Sequence, residues 1–154
     1  MDLYQILMQH HRRTDQIFFI IGKTTAAEAR RREQLFTELR RGLEAHNIVE
    51  ENIFYPELER CSATSELVGD AFDEHAEIDA ILQEIAELPT DKDEWPERIA
   101  ELKVVVQEHV RQEEDRIFPA ARNLLDSARA KELGRRMEAM KQQLPWPAGA
   151  TGSQ

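Results

Sequence analysis

The stretch HNIVEENIFYP, residues 46–56, sets His46 and Glu50 four residues apart and follows them with an apolar run closed by Pro56. Side chains at i and i+4 of a helix lie one turn apart on the same face. One helical face therefore carries an imidazole, a carboxylate and the apolar stripe continued by Ile53 and Phe54. The stretch HVRQEEDRIFP, residues 109–119, repeats the arrangement with His109 and Glu113. Faces of this kind point into a helical core, and the pairs predict that the core holds more than hydrocarbon.

Outward from these motifs the apolar spacing stays helical. A first helix is predicted over residues 3–21, with Leu3, Leu7, Thr14, Phe18 and Ile21 on one stripe and Gly22 at its end. TAAE, residues 25–28, has the spacing of a capping box and predicts the start of the second helix. That helix carries Leu35, Leu39, Leu43, Ile53 and Phe54 and is expected to end near Pro56, whose ring breaks the hydrogen-bond ladder. SATSE precedes a third helix over residues 66–88, and PTDKD separates it from a fourth over residues 94–118, with Pro96 in its first turn. Beyond Pro119 a shorter, more polar helix is predicted over residues 128–143. Its Met137, Met140 and Leu144 form an apolar strip suited to covering the bundle or meeting another subunit. Four long helices joined by short loops give an all-α fold, an antiparallel up-down-up-down four-helix bundle over residues 1–125. The short extra C-terminal helix, within residues 126–143, packs on or extends it, and residues 144–154 are expected to be a disordered tail.

Composition agrees with this architecture. The chain has 154 residues, enough for one domain with a substantial core; 32% are charged, 41% hydrophobic, and only six are glycine. No apolar run approaches the ~18 residues needed to span a membrane. The amino-terminal MDLYQILMQHH lacks the basic and apolar regions of a secretory signal, and the single cysteine, Cys61, fits a reducing cytoplasm. A net charge of −10 weighs against nucleic acid and anionic membranes as partners.

The five histidines carry the functional signal. His11, His46, His75 and His109 each fall on the inward stripe of a different long helix, near its middle. His11 precedes His46 by 35 residues and His75 precedes His109 by 34, so a two-helix unit is used twice. The alignment pairs HHRRTDQIF with EHAEIDAIL, placing Asp15 and Asp79 four residues after their histidines. A single inward histidine is usually a hydrogen-bonded core residue, and a single H-x-x-x-E is commonplace on exposed helices. Four inward histidines, two inward glutamates and a repeat in register need a common cause, and a metal centre supplies one. The second glutamates, Glu51 and Glu114, point about 100° from the first and are expected on a solvated face.

Imidazole with carboxylate suits iron, and less well manganese or zinc; the lack of thiolates disfavours structural zinc. Six ligands exceed the needs of one tetrahedral ion. They suit two ions side by side, with Glu50 and Glu113 bridging and two histidines at each end. The pattern differs from the ferritin-type di-iron sites, whose pairs read E-x-x-H. His10 borders the same stripe and is a candidate additional ligand or pocket residue, although the repeat puts Glu74 in its place. Tyr55 stands one position past the face of Glu50 and Phe54 and is a second such candidate. For Asp15 and Asp79, orientation of a ligand and plain solvation are both open.

The order H … H-x-x-x-E … H … H-x-x-x-E, with EENIFYP and EEDRIFP behind it, resembles the hemerythrin-like (HHE cation-binding) family over residues 3–125. The resemblance implies an antiparallel four-helix bundle holding an oxo- or hydroxo-bridged non-haem di-iron centre. It implies iron ligands at His11, His46, Glu50, His75, His109 and Glu113. Asp79 where oxygen-carrying hemerythrin has a second histidine, and H-x-x-x-E in place of H-x-x-x-x-D, weigh against reversible oxygen carriage. They bring the chain closer to short bacterial hemerythrin-like proteins that handle peroxide or nitric oxide. The expected function is reaction with O2, H2O2 or NO, with catalase-like peroxide disposal preferred. The alternative is reversible O2, NO or iron binding for sensing or storage without turnover. The chain is expected to be a monomer or weak homodimer, and the lack of an output domain favours a stand-alone role.

Overall fold

The computed structural model describes residues 1–144, so the tail expected to be disordered lies, from residue 145 on, outside the described residues. The described residues are helical throughout, with short connections and no strand. Helix α1 (Leu3–Gly22) starts from a complete capping box, in which Asp2 and Gln5 each accept the other's backbone N–H at 3.0 Å. Its whole predicted stripe is buried.

Helix α2 (Ala29–Val49) begins later than the TAAE spacing predicts. Glu28 accepts from the Thr25 N–H at 2.9 Å, but the Thr25 hydroxyl donates to that same carboxylate instead of capping the Glu28 amide. The Glu28 N–H instead bonds the Thr25 carbonyl in a tight turn.

The prolines also behave differently from expectation. A π-helical segment, Glu50–Phe54, follows α2 and runs directly into α3 (Tyr55–Glu59), so the rod continues past Pro56. In the second half, α5 (Glu94–Gln112), a π-helical segment Glu113–Ile117 and α6 (Phe118–Leu124) form a rod that continues past Pro119. In each rod the N–H just before the proline bonds the carbonyl five residues back: Tyr55 to Glu50, and Phe118 to Glu113. The widened turn shifts the ladder where the proline, which has no N–H to donate, enters. Helix α4 (Ser62–Ala86) lies between the rods; it starts four residues earlier than predicted and ends two earlier. The buried Thr64 hydroxyl ties its start to the Leu58 carbonyl at 2.6 Å.

The four rods form the bundle, with α1 against α2 and α4 against α5. Two apolar clusters fill it. One joins Leu3, Leu7, Phe54, Leu58, Val68 and Phe118; the other joins Ile17, Phe18, Leu39, Ile78, Leu82 and Trp95. Between them, at mid-height, lie buried His11, His46, Glu50, His75, His109 and Glu113.

Helix α7 (Ser127–Lys141) is capped by Asp126, which accepts the Arg129 N–H at 2.8 Å. It covers the bundle: Ala130, Leu133 and Met137 are buried in the first cluster, with Met140 and Leu144 packed beside them. Arg129 reaches Glu57 at 2.8 Å, and this contact holds the Glu57 carboxyl below its usual range. Gly134 sets the approach, because a Cβ there would stand 2.5 Å from the Met1 carbonyl oxygen and 3.0 Å from the Asp2 carbonyl carbon. That neighbour is backbone and cannot rotate away. Gly134→Val is expected to lift α7 off α1 and to lower stability by about 1–3 kcal/mol. Thermal melting and proteolysis after Asp126 check this; an unchanged midpoint would show that α7 docks elsewhere.

Candidate metal centre

Each rod contributes to the central cluster as the repeat predicts. The cluster comprises two overlapping donor sets, His11/His46/Glu50/Glu113 and Glu50/His75/His109. Within each set the donor atoms lie no more than 4.8 Å apart, and Glu50 belongs to both. His11 Nε2 stands 3.1 Å from Glu113, His46 Nε2 3.1 Å from Glu50, and His75 Nε2 3.2 Å from Glu50. His75 and His109 bring their Nε2 atoms to 3.1 Å from each other.

The outward ring nitrogens explain this convergence. His11 Nδ1 bonds Glu114, His75 Nδ1 bonds Glu51 and His109 Nδ1 bonds Glu74, each at 2.6 Å. An ionised carboxylate only accepts, so each ring commits its Nδ1 proton outward and presents a bare Nε2 lone pair inward. His46 Nδ1 meets His10 Nδ1 at 2.9 Å. Glu51 and Glu114 therefore do not face away as the 100° rotation suggested. They are half-buried beside the histidine of the opposite half. Glu74 has the same role, and its signal in the sequence was its alignment with His10. His10 itself touches the cluster through His46. Asp15 and Asp79 are exposed.

Tyr55 lies inside the cluster, fully buried, and donates its hydroxyl to Glu113 at 2.6 Å. The same oxygen is 3.2 Å from Glu50 and 3.4 Å from His75 Nε2. In an α-helix Tyr55 would project well away from Glu50; the widened π turn brings residues five apart toward one face. The repeat places Phe118 at the equivalent position, where its ring stacks on His11.

These residues could hold cations. Among the described residues, His11 Nε2, His46 Nε2, Glu50 Oε2 and Glu113 Oε1 are buried with no hydrogen-bond donor, and the His75 and His109 Nε2 lone pairs face one another. Buried acceptors without donors are costly, and a central cation satisfies them together. Without metal, protons take over part of that role. Burial pushes the His11 imidazole down, but Glu113 and Glu114 more than reverse this and raise it to about 10. Burial likewise lowers His75, and Glu50 and Glu51 raise it to about 9. Burial raises Glu50, but hydrogen bonding with Glu113 and the facing His75 and His109 draw it down to about 2. Burial, then the neighbouring imidazoles, holds His10 and His46 well below the usual range. Burial, then Glu113 and Glu50, pushes the Tyr55 phenol well up.

A four-rod bundle whose interior carries two abutting His/Glu donor sets defines a helical cation-binding domain. The family model of the hemerythrin HHE cation binding domain matches residues 2–121, and the chain belongs to that family. The crystal structure of a hemerythrin HHE cation binding domain-containing protein from Mycobacterium kansasii matches with a TM-score of 0.83 and 26% identity, covering 93% of this chain and 86% of that one. A Nostoc sp. protein named DNA nickase is 24% identical over 155 residues, which is 99% of this chain and 43% of that protein. The chain thus spans less than half the length of that relative. Among the described residues no helix is long and apolar enough to cross a membrane.

Proposed function

We propose that this protein is a non-haem di-iron protein that disposes of hydrogen peroxide, turning two molecules into two of water and one of dioxygen. The observation that carries the reading is the pair of donor sets sharing Glu50. His11 and His46 would hold one ion and His75 and His109 the other, with Glu50, common to both sets, and Glu113 as the carboxylate ligands. A donor set of imidazole nitrogen and carboxylate oxygen without sulfur suits iron, with manganese or zinc as competitors. When bound, an iron pair would supply the two-electron redox chemistry that peroxide needs.

The protein's own groups select and handle the substrate. The six residues are at most 5% exposed, a burial that favours ligands as small as H2O2, O2 or NO over larger ones. The Tyr55 hydroxyl holds a proton between Glu113, Glu50 and His75, within reach of anything bound between the two positions. Glu51, Glu74 and Glu114 connect the histidine rings to the bundle surface. A net charge of −10 weighs against DNA as a substrate, and the unpaired Cys61 fits a cytoplasmic setting.

Tyr55→Phe is expected to keep both irons while lowering oxygen evolution by on the order of a hundredfold, the usual scale for a positioned proton donor. An oxygen electrode with free iron as blank checks this, and unchanged turnover would remove Tyr55 from the chemistry. If the intact iron-loaded protein evolves no more oxygen than the blank, yet reversibly binds dioxygen or nitric oxide when reduced, binding without turnover replaces this reading.

A further inference from the structure

The sequence repeat supplies matching side chains around the cluster, with one exception among the groups that hold the histidines from outside. Glu51 and Glu114 are repeat partners, and each holds the lone histidine of the opposite half. Glu74 holds His109 at 2.6 Å, but its repeat partner is His10, which meets His46 at 2.9 Å. Three inward-facing rings are thus backed by carboxylates and the fourth by an imidazole. A carboxylate acceptor lends the ring imidazolate character, which strengthens Nε2 as a donor and favours the higher oxidation state of its metal. A neutral imidazole accepts the same proton without adding negative charge.

The second departure from the repeat points the same way. The Tyr55 hydroxyl sits 3.4 Å from His75 Nε2, whereas the matching Phe118 stacks on His11 and offers no oxygen. The His75/His109 half therefore has two carboxylate-backed rings and a phenol oxygen beside one of them. The His11/His46 half has one carboxylate-backed ring and meets the phenol only through carboxylates, chiefly the Glu113 carboxylate that accepts its proton at 2.6 Å. We propose, resting on the two-metal reading above, that the two metal positions are unequal. The His11/His46 position binds its ion more weakly and is the more easily reduced, and His10 is the positioning residue that makes it so. Metal added below full occupancy fills the His75/His109 position first, and a one-electron-reduced iron pair keeps its ferric ion there.

An anaerobic titration of metal-free protein with cobalt(II), followed by its optical absorption, tests the binding difference. Two phases are expected, with dissociation constants roughly 10- to 100-fold apart, the usual effect of an outer hydrogen-bond partner on metal affinity. Spectroelectrochemistry of the iron form should resolve two one-electron steps. His10→Glu supplies the missing carboxylate and is expected to tighten the weaker cobalt phase and move the higher potential down toward the lower. Glu74→His, the reciprocal change, should weaken the tighter phase and move the lower potential up. A merely structural role for His10 would reduce folding stability without moving the potentials in these opposite directions. Two cobalt ions bound with one dissociation constant, or unchanged potentials in His10→Glu, would overturn the inequality while leaving the two-metal reading in place. Uptake of a single cobalt per chain would sink both.

Discussion

Glu50→Ala is expected to empty the centre: iron content should fall well below that of the intact protein, and oxygen evolution from peroxide should drop to the level of free iron. Glu50 is fully buried and is the residue common to both donor sets. Its loss removes the anion facing His46 Nε2 and His75 Nε2 at 3.1 and 3.2 Å, so neither position keeps its charge balance. Glu113→Ala should behave similarly and also deprives the Tyr55 hydroxyl of its nearer acceptor, leaving Glu50 at 3.2 Å. Glu51→Ala and Glu114→Ala belong to a middle class. Each leaves a ligand in place but frees its ring, which typically costs 10- to 100-fold in metal affinity. Full iron content and turnover in Glu50→Ala would contradict the shared-ligand arrangement.

Stripping the metal is expected to destabilise the fold, increasingly so as the pH rises. A ligand present at about a thousand times its dissociation constant adds roughly 4 kcal/mol to the folded state. For a domain of this size that corresponds to about 8–16 °C in midpoint. In the metal-free protein His11 is raised from 6.5 to about 10 and His75 from 6.5 to about 9. Groups with raised folded values stabilise fully below 6.5, and that contribution is lost as the pH climbs through 9 to 10. Glu50, lowered from 4.5 to about 2, stabilises above 4.5 and loses that contribution as the pH falls through 2. His10 and His46, held below 6.5, act in the opposite sense and cost stability as the pH falls below 6.5. The metal-free protein should therefore melt highest near pH 6.5 and progressively lower above. The loaded protein should lose its metal on the acid side, because protonated imidazoles do not ligate. Chelator-treated and untreated samples melted from pH 6 to 9 should diverge; identical midpoints after verified metal loss would contradict a stabilising role.

The bundle was legible because a period of 3.6 residues survives any local detail. Leu3, Leu7, Thr14, Phe18 and Ile21 are all buried as the stripe predicts. The six central residues were legible because the repeat reads each of them twice. Local rules failed where a turn departs from the α-helix. Pro56 and Pro119 read as terminators, yet a π turn ahead of each lets the rod continue. That same turn put Tyr55 inside the cluster when simple helical angles left it beside the site. Glu51 and Glu114 were misread for a related reason: a position 100° off the inward face still reaches a histidine on the neighbouring rod. The capping spacing of TAAE was real as a pattern but was spent on a turn, because the Thr25 hydroxyl bonds the Glu28 carboxylate. The roles of Glu74 and His10 were visible only as a mismatch in the alignment, and their partners required the three-dimensional fold.

In the proposed function Glu50 would lie between two iron ions. The most direct measurement is metal analysis of aerobically purified protein, read together with its optical spectrum. About two irons per chain, with near-ultraviolet oxo-to-iron charge transfer, is the predicted result. A single zinc per chain and a featureless near-ultraviolet spectrum would contradict it.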